Sequence, residues 1–178
     1  MAEQAEESAL TQSPAAFGPR FAESDTFKSL FKQGMALVEE TATYLDGDGR
    51  RESKGLSRIG GLTYATESMR LTSRLMQLAS WLLLQRAVNE GEMMMEQARQ
   101  ERSKVRLRGF DSAMSGPGWA DLPERLRSLI ERSMRLQERI RLIDEAIYQD
   151  DVKVAANPVI EQIGRLSAAF DAPVGGRD

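Results

Sequence analysis

Between residues 24 and 150, apolar positions recur three and four apart in three long blocks, a period that fits helices and no strand. In the first block Phe27, Phe31, Gly34, Val38, Thr41 and Leu45 mark a stripe that Leu30, Leu37 and Tyr44 widen. With Ser24 as N-cap and Asp25 in the first turn, this predicts one amphipathic helix ending near Asp46. Gly34 lies inside the stripe, and its cost of roughly 1 kcal/mol relative to Ala points to another helix passing close by. The second block is the most apolar part of the chain. It starts between Leu56 and Leu62; Gly91 is a point where it can kink or end, but the helix formers that follow favour continuation to about residue 105. Leu62, Ala65, Met69, Thr72, Met76, Ala79 and Leu83 form one stripe, and Leu71, Leu75, Leu78, Leu82 and Val88 form a second beside it. Apolar side chains therefore cover more than half the circumference. The central helix of three has two neighbours, which accounts for part of this. The remainder predicts contact with a second protein chain, because soluble monomers seldom leave large apolar patches in water. Leu71, Leu75, Leu78 and Leu82 are accordingly assigned to core or dimer contacts.

In the third block Asp121 reads as an N-cap, with Pro123 in the first turn and Glu124 completing a capping-box-like pattern. Leu122, Leu126, Leu129, Ser133, Leu136, Ile140, Ile143 and Ile147 then follow in a heptad-like repeat that ends near Asp150. The connections are "DGDGRRESKG" at 46–55 and the Gly-, Ser- and Pro-rich "RGFDSAMSGPGWAD" at 108–121. The first begins like a calcium loop, but the fifth, sixth and twelfth positions hold Arg50, Arg51 and Ser57 where Asp or Asn, Gly and Glu are needed, so a turn is expected. The fold class is all-α: an antiparallel three-helix bundle with a long central helix over residues 23–150. A disordered arm over 1–22 and a flexible tail over 151–178 flank it.

Two absences narrow the chemistry. The chain has no cysteine and no histidine, which removes disulfides, thiol chemistry, zinc fingers, Ser-His pairs and the commonest general base at neutral pH. No cofactor and no enzyme activity are expected. Glu39–Glu40 and Asp150–Asp151 lack the histidines of a di-metal bundle. Ser29 and Lys32 spell S-x-x-K, but the companion motifs of the serine enzymes that use it are missing. A net charge of −3 and a pI near 5.3 argue against bulk attraction to nucleic acid or an anionic membrane. No apolar export segment opens the chain, and the run Leu78–Leu84 falls far short of the roughly 20 residues a bilayer span needs. The expected location is the cytoplasm, with no membrane partner.

Three features point to protein contacts. Arg99, Arg102, Lys104, Arg106 and Arg108 form a basic run, open to two readings: a solvated face or a contact with an acidic protein or nucleic acid. Met93, Met94 and Met95 are adjacent, so they cannot all face one way, and they suit either gap filling or an adaptable surface. In the tail, Val159, Ile160, Ile163, Leu166 and Phe170 stand at helical spacing after Pro158 and make a candidate partner-binding face. Such a short helix is marginal alone, and docking on the bundle and ordering on a partner both remain open.

"GMALVEETATYLDGDGR" at 34–50, "LSR" at 56–58 and "YATESMRLTSRLMQLASWLLLQRAVNEGEM" at 64–93 closely resemble the RcdA family, named for regulator of CtrA degradation. The likeness covers roughly residues 24–150 and leaves both arms uncovered. It implies a small, all-helical, homodimeric bacterial protein without enzymatic activity. It further implies an adaptor for the ClpXP protease in cell-cycle-regulated proteolysis, joining the primed protease, a response-regulator partner and cargo such as the CtrA regulator. The resemblance brings a mobile C-terminal tail that takes part in delivery, and no motif that assigns individual contact residues. A helical dimer that binds nucleic acid through the basic run is the alternative, and salt-dependent DNA binding would distinguish it.

Overall fold

The computed structural model describes residues 25–155, and side chains through Tyr148. The described residues form five helices and no strand: α1 (Asp25–Asp46), α2 (Asp48–Ser53), α3 (Arg58–Asn89), α4 (Met95–Arg102) and α5 (Glu124–Ala155). The arm at 1–22 and the N-cap assigned to Ser24 lie outside the described residues. So does the tail beyond Ala155, with Val159, Ile160, Ile163, Leu166 and Phe170. Helix α5 continues past the expected end near Asp150 into the stretch read as tail.

Three long helices build the core. On α1 the buried positions Phe27, Gly34 and Thr41 alternate with Leu30, Leu37 and Tyr44, a heptad seam that keeps one face on its neighbours. Helix α3 contributes Leu71, Leu75, Leu78, Trp81 and Leu82, and α5 contributes Leu126, Leu129, Ile130, Leu136, Ile140 and Ile147. A Cβ on Gly34 would collide with Leu82 Cδ1. The glycine is therefore what lets α1 and α3 approach closely, as its place in the stripe predicted.

The direction of the last helix departs from the antiparallel order expected. Ser57 bonds Asp121 at 2.9 Å, Arg74 bonds Ser133 at 2.6 Å, Trp81 bonds Asp144 at 2.8 Å and Gln85 bonds Tyr148 at 2.8 Å. Both numbers rise together, so α3 and α5 run parallel. Helix α1 runs against both, since Arg132 reaches Glu40 and Arg139 reaches Gln33. The physical cause is the break after α3. Gly91 sits at φ +72°, Glu92 N–H donates to Ala87 O at 2.9 Å and Gly91 N–H to Val88 O at 3.1 Å. This is a Schellman closure, which a left-handed glycine accommodates without strain. The helix stops there and does not continue to residue 105. The chain then returns along the bundle through α4 and the 103–123 loop, so the next long helix starts from the same end as α3.

Two buried polar networks hold that return. Arg74 is 1 % exposed and donates to Ser133 Oγ, to Ser112 Oγ at 3.1 Å and to the carbonyl of Phe110. Ser112 in turn donates to Glu67, which also pairs with Arg70 at 2.7 Å. Burial pulls the Arg74 guanidinium below the usual arginine range, while Asp111 and Glu67 oppose this. The second network centres on Asp144, which accepts from Trp81 Nε1 at 2.8 Å and from Arg102 Nε at 2.7 Å. The Arg102 guanidinium also stacks 4.1 Å above the Tyr148 ring. Asp121, read as the N-cap of α5, instead accepts from the hydroxyl of Ser57, the N-cap of α3.

Burial raises the phenols of Tyr44, Tyr64 and Tyr148, with the Glu52 hydrogen bond adding to the effect at Tyr44. A raised phenol means that the fold prefers the protonated form. This stabilisation is complete below the ordinary value of 10.0 and is lost as pH climbs through the raised folded values. Urea unfolding should therefore show stability flat from about pH 7 to 9 and falling from about pH 10 upward. A midpoint that held constant through that alkaline range would contradict the buried protonated phenols.

Candidate interaction surfaces

The two apolar stripes of α3 have different fates. Leu71, Leu75, Leu78 and Leu82 point inward, with exposures of 0, 4, 1 and 0 %. The other stripe points away from both neighbouring helices. Leu62, Met69, Met76 and Leu83 stand seven residues apart and are 72, 71, 62 and 49 % exposed. Between them lie small residues: Ala65, Thr66, Thr72, Ser73, Ala79 and Ser80. Three of the four hydroxyls on this face are turned back onto their own helix. Thr66 bonds Leu62 O at 3.0 Å, Thr72 bonds Ser68 O at 2.8 Å and Ser80 bonds Met76 O at 2.9 Å. These three can be buried without being left unpaired, while the half-buried Ser73 hydroxyl has no bond among the described residues.

This face also mirrors itself. About a midpoint between Thr72 and Ser73, Leu62 matches Leu83, Met69 matches Met76, Ala65 matches Ser80 and Thr66 matches Ala79. A two-fold axis at that midpoint would set like against like along two antiparallel copies of the helix, with each contact made twice as in an isologous interface.

The basic run is dispersed by the structure. Arg102 is drawn into the Asp144 network, and the Asp144 hydrogen bond holds its pKa above the usual range. Arg99 pairs with Glu96 at 3.5 Å, Lys104 with Glu101 at 2.7 Å and Arg108 with Glu145 at 3.0 Å. Arg106 is exposed, and its backbone N–H bonds the Gln77 side chain at 2.8 Å. These residues lie on α4 and the following loop, and four of the five are engaged with carboxylates of their own chain. Of the methionines, Met94 is 77 % and Met95 40 % exposed, while Met93 is half-buried beside Leu83, Leu84 and Ala87 in a shallow groove.

Ser29 and Lys32 are both exposed on α1, and the Ser29 hydroxyl accepts from Gln33 at 3.1 Å. Nothing joins the pair into a nucleophile and base. Among the described residues no group of acidic side chains is arranged to hold a metal ion, and no helix is long and apolar enough to cross a membrane.

A family described as "Protein of unknown function (DUF1465)" matches residues 18–170. The crystal structure of RcdA from Caulobacter crescentus CB15 is 51 % identical, covers 73 % of this chain and 97 % of its own, and superposes with a TM-score of 0.60. The chain belongs to the RcdA family. No curated protein matches it. The identity extends over nearly the whole of the RcdA chain. The sequence resemblance read from α1 and α3 is therefore confirmed at the level of the family and of the all-α bundle.

Proposed function

We propose that this protein is a non-enzymatic, homodimeric adaptor in regulated proteolysis of cell-cycle regulators. In this reading it acts in the cytoplasm and links the primed ClpXP protease, a response-regulator partner and cargo such as the CtrA regulator. The observation that carries the reading is the 51 % identity to RcdA over 97 % of that chain. The outward face of α3 supports it independently. A helix whose second apolar stripe is mirrored, and whose hydroxyls there mostly bond back to their own backbone, is suited to seating a second copy, and a dimer doubles every surface that the adaptor offers. The nucleic-acid alternative loses support, because the residues of its basic run are largely paired with carboxylates of the same chain.

The test is reconstituted degradation of a CtrA-type cargo by ClpXP with its response-regulator partner. Adding the intact protein should raise the rate. Removing residues 156–178 should return the rate to its value without the protein, while circular dichroism shows the bundle still folded. Replacing Ile163 and Phe170 with Ser should act like the deletion. An intact protein that leaves degradation unchanged would overturn the adaptor reading. A truncated protein that delivers at the full rate would remove the tail from it.

A further inference from the structure

Helices α1 and α5 enclose a groove of about 380 Å³ to which α3 contributes no residue. Its floor is apolar, from Leu37 and Leu136, with Ala36 at the rim, and its α5 wall carries Arg132, Arg135 and Arg139. The three guanidinium groups are unequally paired. Arg132 is held by Glu40 at 2.8 Å. Arg135 meets Glu131 only at 3.8 Å, with its side chain 69 % exposed. Arg139 donates to the neutral amide oxygen of Gln33 at 3.1 Å, and no carboxylate pairs with it among the described residues. Arg135 and Arg139 stand one helical turn apart, where like charges repel and weaken a helix. The fold thus keeps two underpaired cations beside an apolar floor, in a site that carboxylates would relieve.

We propose that this groove docks an acidic segment of a partner protein, with carboxylates on Arg135 and Arg139 and an apolar side chain over Leu37 and Leu136. Arginine pairs carboxylates through two parallel N–H donors, which suits it to reading acidic motifs. A nucleic-acid backbone fits less well, because Glu40, Glu131 and Glu138 flank the arginines and the protein's net charge is −3. A second copy seated on the outward face of α3 would leave the groove open, so the inference does not depend on the dimer.

The test measures fluorescence anisotropy of a labelled peptide of Glu and Leu, about a dozen residues long, with the full-length protein. Saturable binding is expected, weakening as salt is raised. The double variant Arg135→Gln/Arg139→Gln should bind about 10-fold more weakly, as loss of two charge-assisted contacts implies. Arg50→Gln and Arg58→Gln, which remove exposed cations elsewhere, should bind as the parent does. Circular dichroism of the double variant controls for folding, and a Glu/Gly peptide should bind more weakly because it cannot cover the floor. Four outcomes would overturn the proposal: no binding of the Glu/Leu peptide; equal loss in the Arg50 and Arg58 variants; tighter binding of a duplex DNA probe; or peptide binding only after deletion of residues 1–24, which would make the groove the seat of the chain's own Glu-bearing arm.

Discussion

Asp144→Ala is expected to lower the free energy of unfolding by about 3 kcal/mol, among the larger losses a single side chain can cause. The carboxylate is buried, and it is the acceptor for Trp81 Nε1 and the counter-ion of Arg102. Trp81 is fully buried, so its N–H, left without an acceptor, costs about 1–3 kcal/mol. Losing the partner of a buried ion can cost about 3–5 kcal/mol, but the Arg102 side chain is 34 % exposed, so solvent offsets much of that second part. Asp144→Asn separates the two contributions. It keeps an oxygen for Trp81 and loses the charge, so it should cost about half as much. Urea unfolding gives the totals, and hydrogen exchange over residues 95–102 should quicken in both variants, since Arg102 ties α4 to α5. A loss below about 0.5 kcal/mol for the alanine variant, the range of an ordinary surface change, would mean that Asp144 does not organise this junction.

That junction shows where sequence reasoning stops. The 3.6-residue period marked all three long helices, because burial of a stripe is a local and repetitive demand. Gly34 was legible as a close-approach site for the same reason. A break at Gly91 was legible only as the less favoured of two readings. Gly91 lies among good helix formers, and only the left-handed closure onto Ala87 and Val88 decides that the helix ends there. With the end misplaced, the crossover through α4 was hidden, and so was the parallel course of α5. The basic run stayed open between a solvated face and a partner contact because spacing along the chain does not show which cations are paired. The carboxylate partners of Arg102 and Arg108, Asp144 and Glu145, lie more than thirty residues away on α5. Arg74 was overlooked for a related reason: its partners Ser112 and Ser133 are uncharged, and no charge pattern along the chain marks them. The two stripes of α3 were both visible, and so was the surplus of apolar surface that calls for a second chain. Which stripe is spent on the bundle could be read only once α1 and α5 were in place.

The exposed stripe leads to the other large effect. In the unsubstituted protein, light scattering at micromolar concentration should give twice the chain mass of 19.9 kDa, with roughly 800 Å² buried per subunit as in an ordinary specific interface. Met69→Glu combined with Met76→Glu should give the monomer. Both side chains are more than three-fifths exposed within one chain, at 71 and 62 %, so the subunit itself should lose no more than about 0.5 kcal/mol. The mirrored face would bring each new carboxylate opposite another, so every substitution counts twice in a largely apolar seam without a cation to receive it. The chain has no cysteine, which allows the register to be tested by single additions. Ser73→Cys lies beside the proposed axis and should oxidise to a covalent dimer. Leu62→Cys alone should not, because 21 helical residues separate it from the matching Leu83, about 30 Å along the helix. A mixture of Leu62→Cys and Leu83→Cys proteins should cross-link. Efficient self-linking of Leu62→Cys would mean a parallel pair, and a dimer that survives both glutamates would place the second copy elsewhere than on α3.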